Sequence, residues 1–155
     1  MAIEEGKAAP LFTLEDQDVR KVALKELRGR DVIVYFYPRD ETPGCTKQAC
    51  GFRDLWGEIE ATGATVLGVS PDTAESHRAF IDNHRLPFTL LADPAKKVMT
   101  KYGAWGEKVL YGRKMIGVIR STVWIGPNGK VVRHWRRVPK AADHAAKVLQ
   151  ALQGA

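Results

Sequence analysis

A chain of 155 residues with 45% hydrophobic and 27% charged residues fits one globular domain, and the composition excludes a disordered or fibrous protein. The 24 Lys and Arg against 18 Asp and Glu leave a net charge of +6, spread along the chain except for a denser stretch from Lys130 to Lys140. Met1 to Pro10 carries Glu4 and Glu5 and no apolar run of signal length, and other apolar runs are strand-sized, so the expectation is a soluble, cytoplasmic protein, residues 1–155 forming one domain without membrane contact.

In chain order, Leu11 to Leu14 and Lys21 to Leu24, separated by Asp16-Gln17-Asp18, predict an N-terminal β-hairpin. Val32 to Tyr37 is continuously apolar, β-branched and aromatic, the pattern of a strand buried on both faces, and it stops at Pro38. Thr42 can cap a helix with Pro43 in its first turn, and Ala49, Phe52, Trp56 and Ile59 recur at helical spacing up to Gly63. Thr65 to Ser70 predicts a second buried strand, and Asp72 opens a helix turning Ala79, Phe80 and His77 to the sheet before Leu86-Pro87.

Phe88 to Leu91 predicts a third strand, and a brief helix runs from Asp93-Pro94 to about Tyr102-Gly103. Trp105 to Gly117 mixes polar and apolar residues without a period and is expected to be loop and irregular strand. Ser121 to Ile125 and Val131 to Trp135 form a hairpin around Asn128-Gly129, and Ala141 to Leu152 a closing helix. This order predicts an α/β, thioredoxin-like fold: a central mixed sheet flanked by helices, with the extra hairpin at the N-terminus.

Only two cysteines occur, too few for a secreted disulfide scaffold, so a bridge between them points to redox chemistry. Cys45 falls between the carboxyl end of a buried strand and the first turn of a helix, where open α/β sheets place their sites. The helix amino end supplies unpaired N–H groups and a partial positive charge, which favour the thiolate, the form that attacks. Free cysteines are commonly small core hydrophobes, but Pro38, Pro43 and Gly44 around a hydroxyl at Thr42 make a stiff turn that packing does not require. Cys50 follows five residues later, which excludes a Cys-x-x-Cys reductase. In an intact helix that spacing separates the side chains by about 140° and 7.5 Å, so bridging requires unwinding. Gly51 weakens the helix there; a plain core thiol at Cys50, leaving Cys45 to work with an external thiol, is the alternative.

Pro38-x-x-x-Thr42-x-x-Cys45 resembles the peroxiredoxin motif, and the string from Tyr35 to Asp54 is similar to the bacterioferritin comigratory protein, or PrxQ, subfamily. The likeness continues through Gly68-Val69-Ser70-Pro71-Asp72, Leu86-Pro87-Phe88, Leu90-Leu91-Ala92-Asp93, Tyr102 to Lys108 and Arg120-Ser121-Thr122. The resemblance implies a thioredoxin-fold peroxidase acting on hydrogen peroxide and organic hydroperoxides, re-reduced by thioredoxin or a similar dithiol, working as a monomer and needing no cofactor or metal. It makes Cys45 the peroxidatic nucleophile, Thr42 a hydroxyl that orients the peroxide, Arg120 the cation of the site, Pro38 a shield against water and Cys50 the partner in an intramolecular disulfide. Gln48, three residues after Cys45, can hydrogen-bond that arginine across one helical turn but is equally readable as a solvated side chain, and it stays outside the expected site.

Rival uses of the same residues are a redox sensor, in which oxidised Cys45 alters a partner surface, and nucleic-acid binding by Lys130, Arg133, Arg136, Arg137 and Lys140. A solvated edge strand guarded by charge has the same composition as the second of these, and no nucleic-acid partner is expected. His77, His84, His134 and His144 lack paired ligand spacing, and His77 and His84 are expected as packing or surface residues on one helical face.

Overall fold

The computed structural model describes residues 3–154. Strands β1 (Thr13–Asp16), β2 (Lys21–Ala23), β3 (Val32–Phe36), β4 (Thr65–Ser70), β5 (Thr89–Ala92), β8 (Ser121–Ile125) and β9 (Val131–Trp135) form one sheet in the order β2-β1-β5-β4-β3-β8-β9. β3, β4 and β5 run parallel at its centre, and antiparallel strands close both edges. The helices are α1 (Pro43–Asp54), α2 (Trp56–Ala61), α3 (Ala74–His84), α4 (Lys97–Lys101) and α5 (Ala141–Gln153).

Every residue of β3 is buried because the strand lies mid-sheet with a core on each face. Ile33, Tyr35 and Tyr37 point into a cluster with Ala49 and Phe52 of α1, Phe80 of α3 and Val148 of α5; Val32, Val34 and Phe36 point into a second with Phe12, Met99 of α4 and Tyr102. That is the two-faced burial which a continuous apolar run encodes. The Tyr35 ring lies across Gly68 of β4, where a Cβ would sit 2.7 Å from Leu90 and 2.9 Å from the ring, so only glycine fits. Tyr35 stacks on Tyr37 at 5.4 Å and on Phe52 at 4.9 Å between centroids.

The region from Trp105 to Gly117 is not irregular. Strands β6 (Trp105–Leu110) and β7 (Arg113–Val118) pair in register from Trp105↔Val118 to Leu110↔Arg113 around a two-residue turn, Tyr111-Gly112, both at positive φ. This ribbon forms a second sheet, with Val109, Leu110, Tyr111, Met115 and Ile116 exposed. Its residues face solvent on both sides over most of its length, so no alternation is written into the sequence.

Smaller departures have local causes. The expected helix from Thr42 to Gly63 breaks at Leu55 (φ −102°, ψ 10°) into α1 and α2. The N-terminal hairpin lies two residues further on in its first strand, because the Asp16 carboxylate accepts from the backbone N–H groups of Asp18 and Arg20 and sets the turn there. α3 is capped by Thr73, whose hydroxyl accepts from Ser76 N–H at 3.1 Å, leaving Asp72 free for other contacts. His77 and Phe80 are buried as expected and Ile81 joins them, but Ala79 faces solvent. The basic stretch includes Arg133 on edge strand β9, where its guanidinium lies 4.6 Å from the Trp135 ring.

α5 packs beneath α1 through a buried histidine. His144 is in hydrogen-bond contact with Thr122 Oγ1 of β8 (2.7 Å) and meets Phe52 and Trp135 edge-on. Burial first, then the charges of Lys147, Arg120 and Arg133, push its pKa down to about 4 from 6.5. The unfolded chain therefore takes up a proton as pH falls below 6.5 while the folded chain does not, and stability is lost until about pH 4. At ~1.4 kcal/mol per pH unit this amounts to about 3 kcal/mol. Urea denaturation at pH 7 and pH 4.5 is expected to reveal most of that loss in wild type and much less of it in His144→Leu.

Candidate active site

Cys45 is the third residue of α1, so the helix start and the carboxyl end of β3 converge on its sulfur. The first intrahelical bond runs from Thr46 N–H to Thr42 C=O at 2.8 Å, leaving the N–H groups of Gly44 and Cys45 among those a helix start cannot pair internally. The residue is 1% exposed. Arg120, immediately before β8, donates from Nη2 to Cys45 Sγ at 3.3 Å and from Nη1 to Gln48 Oε1 at 2.6 Å. One planar guanidinium thus spans a sulfur and an amide one helical turn apart, a fork that lysine cannot reproduce. Gly44 leaves room for it, since a Cβ there would lie 3.3 Å from Arg120 Nη2.

Gln48, which the sequence reading left outside the site, is therefore part of it. It is fully buried, and its Nε2 has no protein partner. The available signal was its position three residues after Cys45, on the same face of a helix that buries that face.

The other expected residues fall out differently. Thr42 occupies the N-cap position but does not cap: its hydroxyl donates to Arg39 C=O at 2.8 Å, which folds the loop back on itself. Pro38 is half-buried at the end of β3, on the same loop. Cys50 lies five residues along an unbroken helix from Cys45 and is half-buried; both thiols are free. The structure thus brings Cys45 and Arg120 together and leaves Cys50 on another part of the helix surface. Tyr35 adds a buried hydroxyl without a partner, held protonated by burial and then by the charges of Cys45 and Asp40.

Gly51 has a packing context as well as a helix-weakening one. A Cβ there would meet Ala145 Cβ of α5 at 3.4 Å, an ordinary contact.

This chain matches the model of the AhpC/TSA family over residues 6–134. It belongs to that family, the peroxiredoxins. Peroxiredoxin Bcp of Bacillus subtilis is 40% identical over 153 residues, covering 99% of this chain and 97% of the relative. Bacterioferritin comigratory protein of Xanthomonas campestris, which has alkyl peroxide reduction activity, superposes with a TM-score of 0.89 at 34% identity, covering 97% of this chain and 98% of that one. A cysteine-to-serine mutant of PrxQ from Xylella fastidiosa gives 0.90 at 31% identity over 98% and 96% of the two chains. The expected thioredoxin-type α/β fold is that of these peroxiredoxins, and the chain is an enzyme of the thiol peroxidase class. Among the described residues no helix is long and apolar enough to cross a membrane.

Proposed function

We propose that this peroxiredoxin reduces hydrogen peroxide and organic hydroperoxides at Cys45, closes a Cys45–Cys50 disulfide, and is re-reduced by thioredoxin or a similar dithiol. The observation that carries the reading is the 3.3 Å contact between Arg120 Nη2 and Cys45 Sγ at the amino end of α1. The Cys45 thiolate attacks one peroxide oxygen, the O–O bond breaks, and sulfur is oxidised to the sulfenic acid. The departing alkoxide or hydroxide takes a proton and leaves as alcohol or water. Negative charge moves from sulfur to the leaving oxygen, and a fixed guanidinium with free backbone N–H groups stabilises both ends of that shift without reorganising. Pro38 and the covered setting of the sulfur keep bulk water away, and Thr42 supplies a hydroxyl on the same loop.

The second step needs movement. Cys45 and Cys50 are separated by about 7.5 Å of helix rise and face about 140° apart, beyond the reach of a disulfide. Opening the first turns of α1 lets the Cys50 thiol condense with the sulfenic acid: an S–S bond forms and water leaves. A protein-sized reductant cannot touch a sulfur 1% exposed, so the same opening delivers the bridge to thioredoxin.

Mass spectrometry after one equivalent of peroxide tests the route: a Cys45–Cys50 bridge in wild type is expected, and a stable sulfenic acid or an intermolecular bridge in its place rejects it. Sustained NADPH oxidation with thioredoxin and its reductase separates an enzyme cycle from a sensor that is oxidised once.

If opening limits bridge formation, helix propensity at position 51 sets its rate. Gly51→Ala fits sterically and stabilises the helix by about 1 kcal/mol, so closure after sulfenic acid formation is expected to slow about fivefold, measured by rapid mixing. The peroxide step is expected to stay at the wild-type rate.

A further inference from the structure

Outside the sulfur site a buried polar cluster surrounds Asp40, in the loop between β3 and α1. Its carboxylate is 2.6 Å from Tyr37 Oη, 2.8 Å from Ser76 Oγ and 2.7 Å from His77 Nδ1. Its backbone N–H donates to Asp72 Oδ2 at 2.7 Å, and that oxygen also accepts from Ser70 Oγ at 2.7 Å. His77 is fully buried on α3, and its Nε2 lies 2.9 Å from Leu91 C=O of β5. A carbonyl only accepts, so Nε2 carries a hydrogen; the contact between Nδ1 and the carboxylate then holds one more, owned by the ring or by the acid.

Asp40, Asp72 and His77 offer ligand atoms within 4.8 Å of one another, but those atoms are already taken up in hydrogen bonds to the groups just named. The cluster is a hydrogen-bonded clamp rather than a cation site. Burial keeps the Tyr37 hydroxyl protonated and therefore a donor to it.

The clamp extends one residue further. Glu41, at φ +64°, accepts from Asn83 Nδ2 at 2.6 Å and lies 2.7 Å from His84 Nε2, both on α3. Burial acts to raise its pKa, but these two contacts outweigh it and hold the carboxylate ionised. Side chains of α3 thus grip positions 40 and 41. The next hydrogen bond to α3 comes only at Arg53, whose Nη1 donates to His84 C=O at 2.8 Å, and between them the helix start has no side-chain cap and no acidic residue in its first turn.

We propose that Asp40 and His77 are positioning residues, forming with Tyr37 a fixed upstream anchor that holds the first turn of α1 in its peroxide-reactive shape and confines opening to the chain beyond Glu41. Phe52, fully buried on the far side of Cys50, marks the downstream limit. This rests on the reading that Cys45 is oxidised and then bridged to Cys50. Weakening the anchor misplaces the sulfur relative to Arg120 and the helix amides, which slows attack on peroxide. The loosened turn opens at least as readily, so bridge closure is not slowed.

The test measures both steps by stopped-flow fluorescence in wild type, Asp40→Asn, which keeps the side-chain shape without the carboxylate, and Tyr37→Phe, which removes the hydroxyl that contacts Asp40 and His77 and keeps the ring stacked on Tyr35. Asp40→Asn is expected to slow sulfenic acid formation on the order of tenfold while bridge closure holds or rises; Tyr37→Phe moves the same way by less. A shift in the ratio of the two rates toward closure supports the anchor. An unchanged ratio, whether with a lower Tm alone or with both rates falling together, overturns it. Should Asp40→Asn not fold, the Tyr37→Phe ratio decides. Failure of wild type to form the bridge at all would instead reject the reading beneath the proposal.

Discussion

Cys45→Ser is expected to abolish peroxide consumption coupled to thioredoxin, thioredoxin reductase and NADPH, while Cys50→Ser still reacts with one equivalent of peroxide but no longer cycles with thioredoxin. The hydroxyl of serine stays protonated at neutral pH and is a far weaker nucleophile than a thiolate, and neither Arg120 nor the helix start closes that gap. In Cys50→Ser the first sulfur still attacks, but the sulfenic acid has no internal thiol to condense with. It persists, is trapped by a sulfenic-acid probe, and regains turnover with a small added thiol. Residual turnover above background in Cys45→Ser would place the chemistry elsewhere in the molecule. Full thioredoxin-linked activity in Cys50→Ser would leave the one-cysteine route standing.

Arg120→Met is expected to lower the second-order rate with peroxide by roughly 10²–10³, the usual cost of removing one preorganised donor from a developing charge. The loss falls on sulfenic acid formation, because the guanidinium touches Cys45 Sγ directly. Arg120→Lys restores a positive charge but cannot reach sulfur and Gln48 together through one planar fork, so its activity falls between the two. Arg120→Met leaves the buried Gln48 Oε1 without its donor, at a cost of about 1–3 kcal/mol in stability. A rate loss that vanished once each variant was assayed well below its Tm would make Arg120 a structural residue only. Rates measured by competition against a second peroxidase, at a temperature where all variants are folded, decide it.

Much of the site lay within twenty residues of chain and could be read there. Strand β3 announces itself by an unbroken apolar run, the turn after it by Pro38, Pro43 and Gly44, and the proposed nucleophile by its place at a helix start. Arg120 was reachable only through the family resemblance, since its partner in space is 75 residues away in sequence. Asp40 and His77 were not reachable as a pair: 37 residues separate them, and a charged loop residue next to a lone histidine has no local signature. Gln48 was lost to polarity, because a glutamine on a helix is solvated unless something buried needs its oxygen. The β6–β7 ribbon was lost for the opposite reason, as strands wet on both faces carry no alternation.

The glycine under the Tyr35 ring couples regions usually treated separately. Tyr35 rests against Tyr37, a member of the Asp40 clamp, on one side and against Phe52, the downstream stop of α1, on the other. A methyl group added at Gly68 would displace that ring and press on both ends of the segment proposed to open. A position with no polar atom to offer the sulfur would thereby govern how the reactive turn sits.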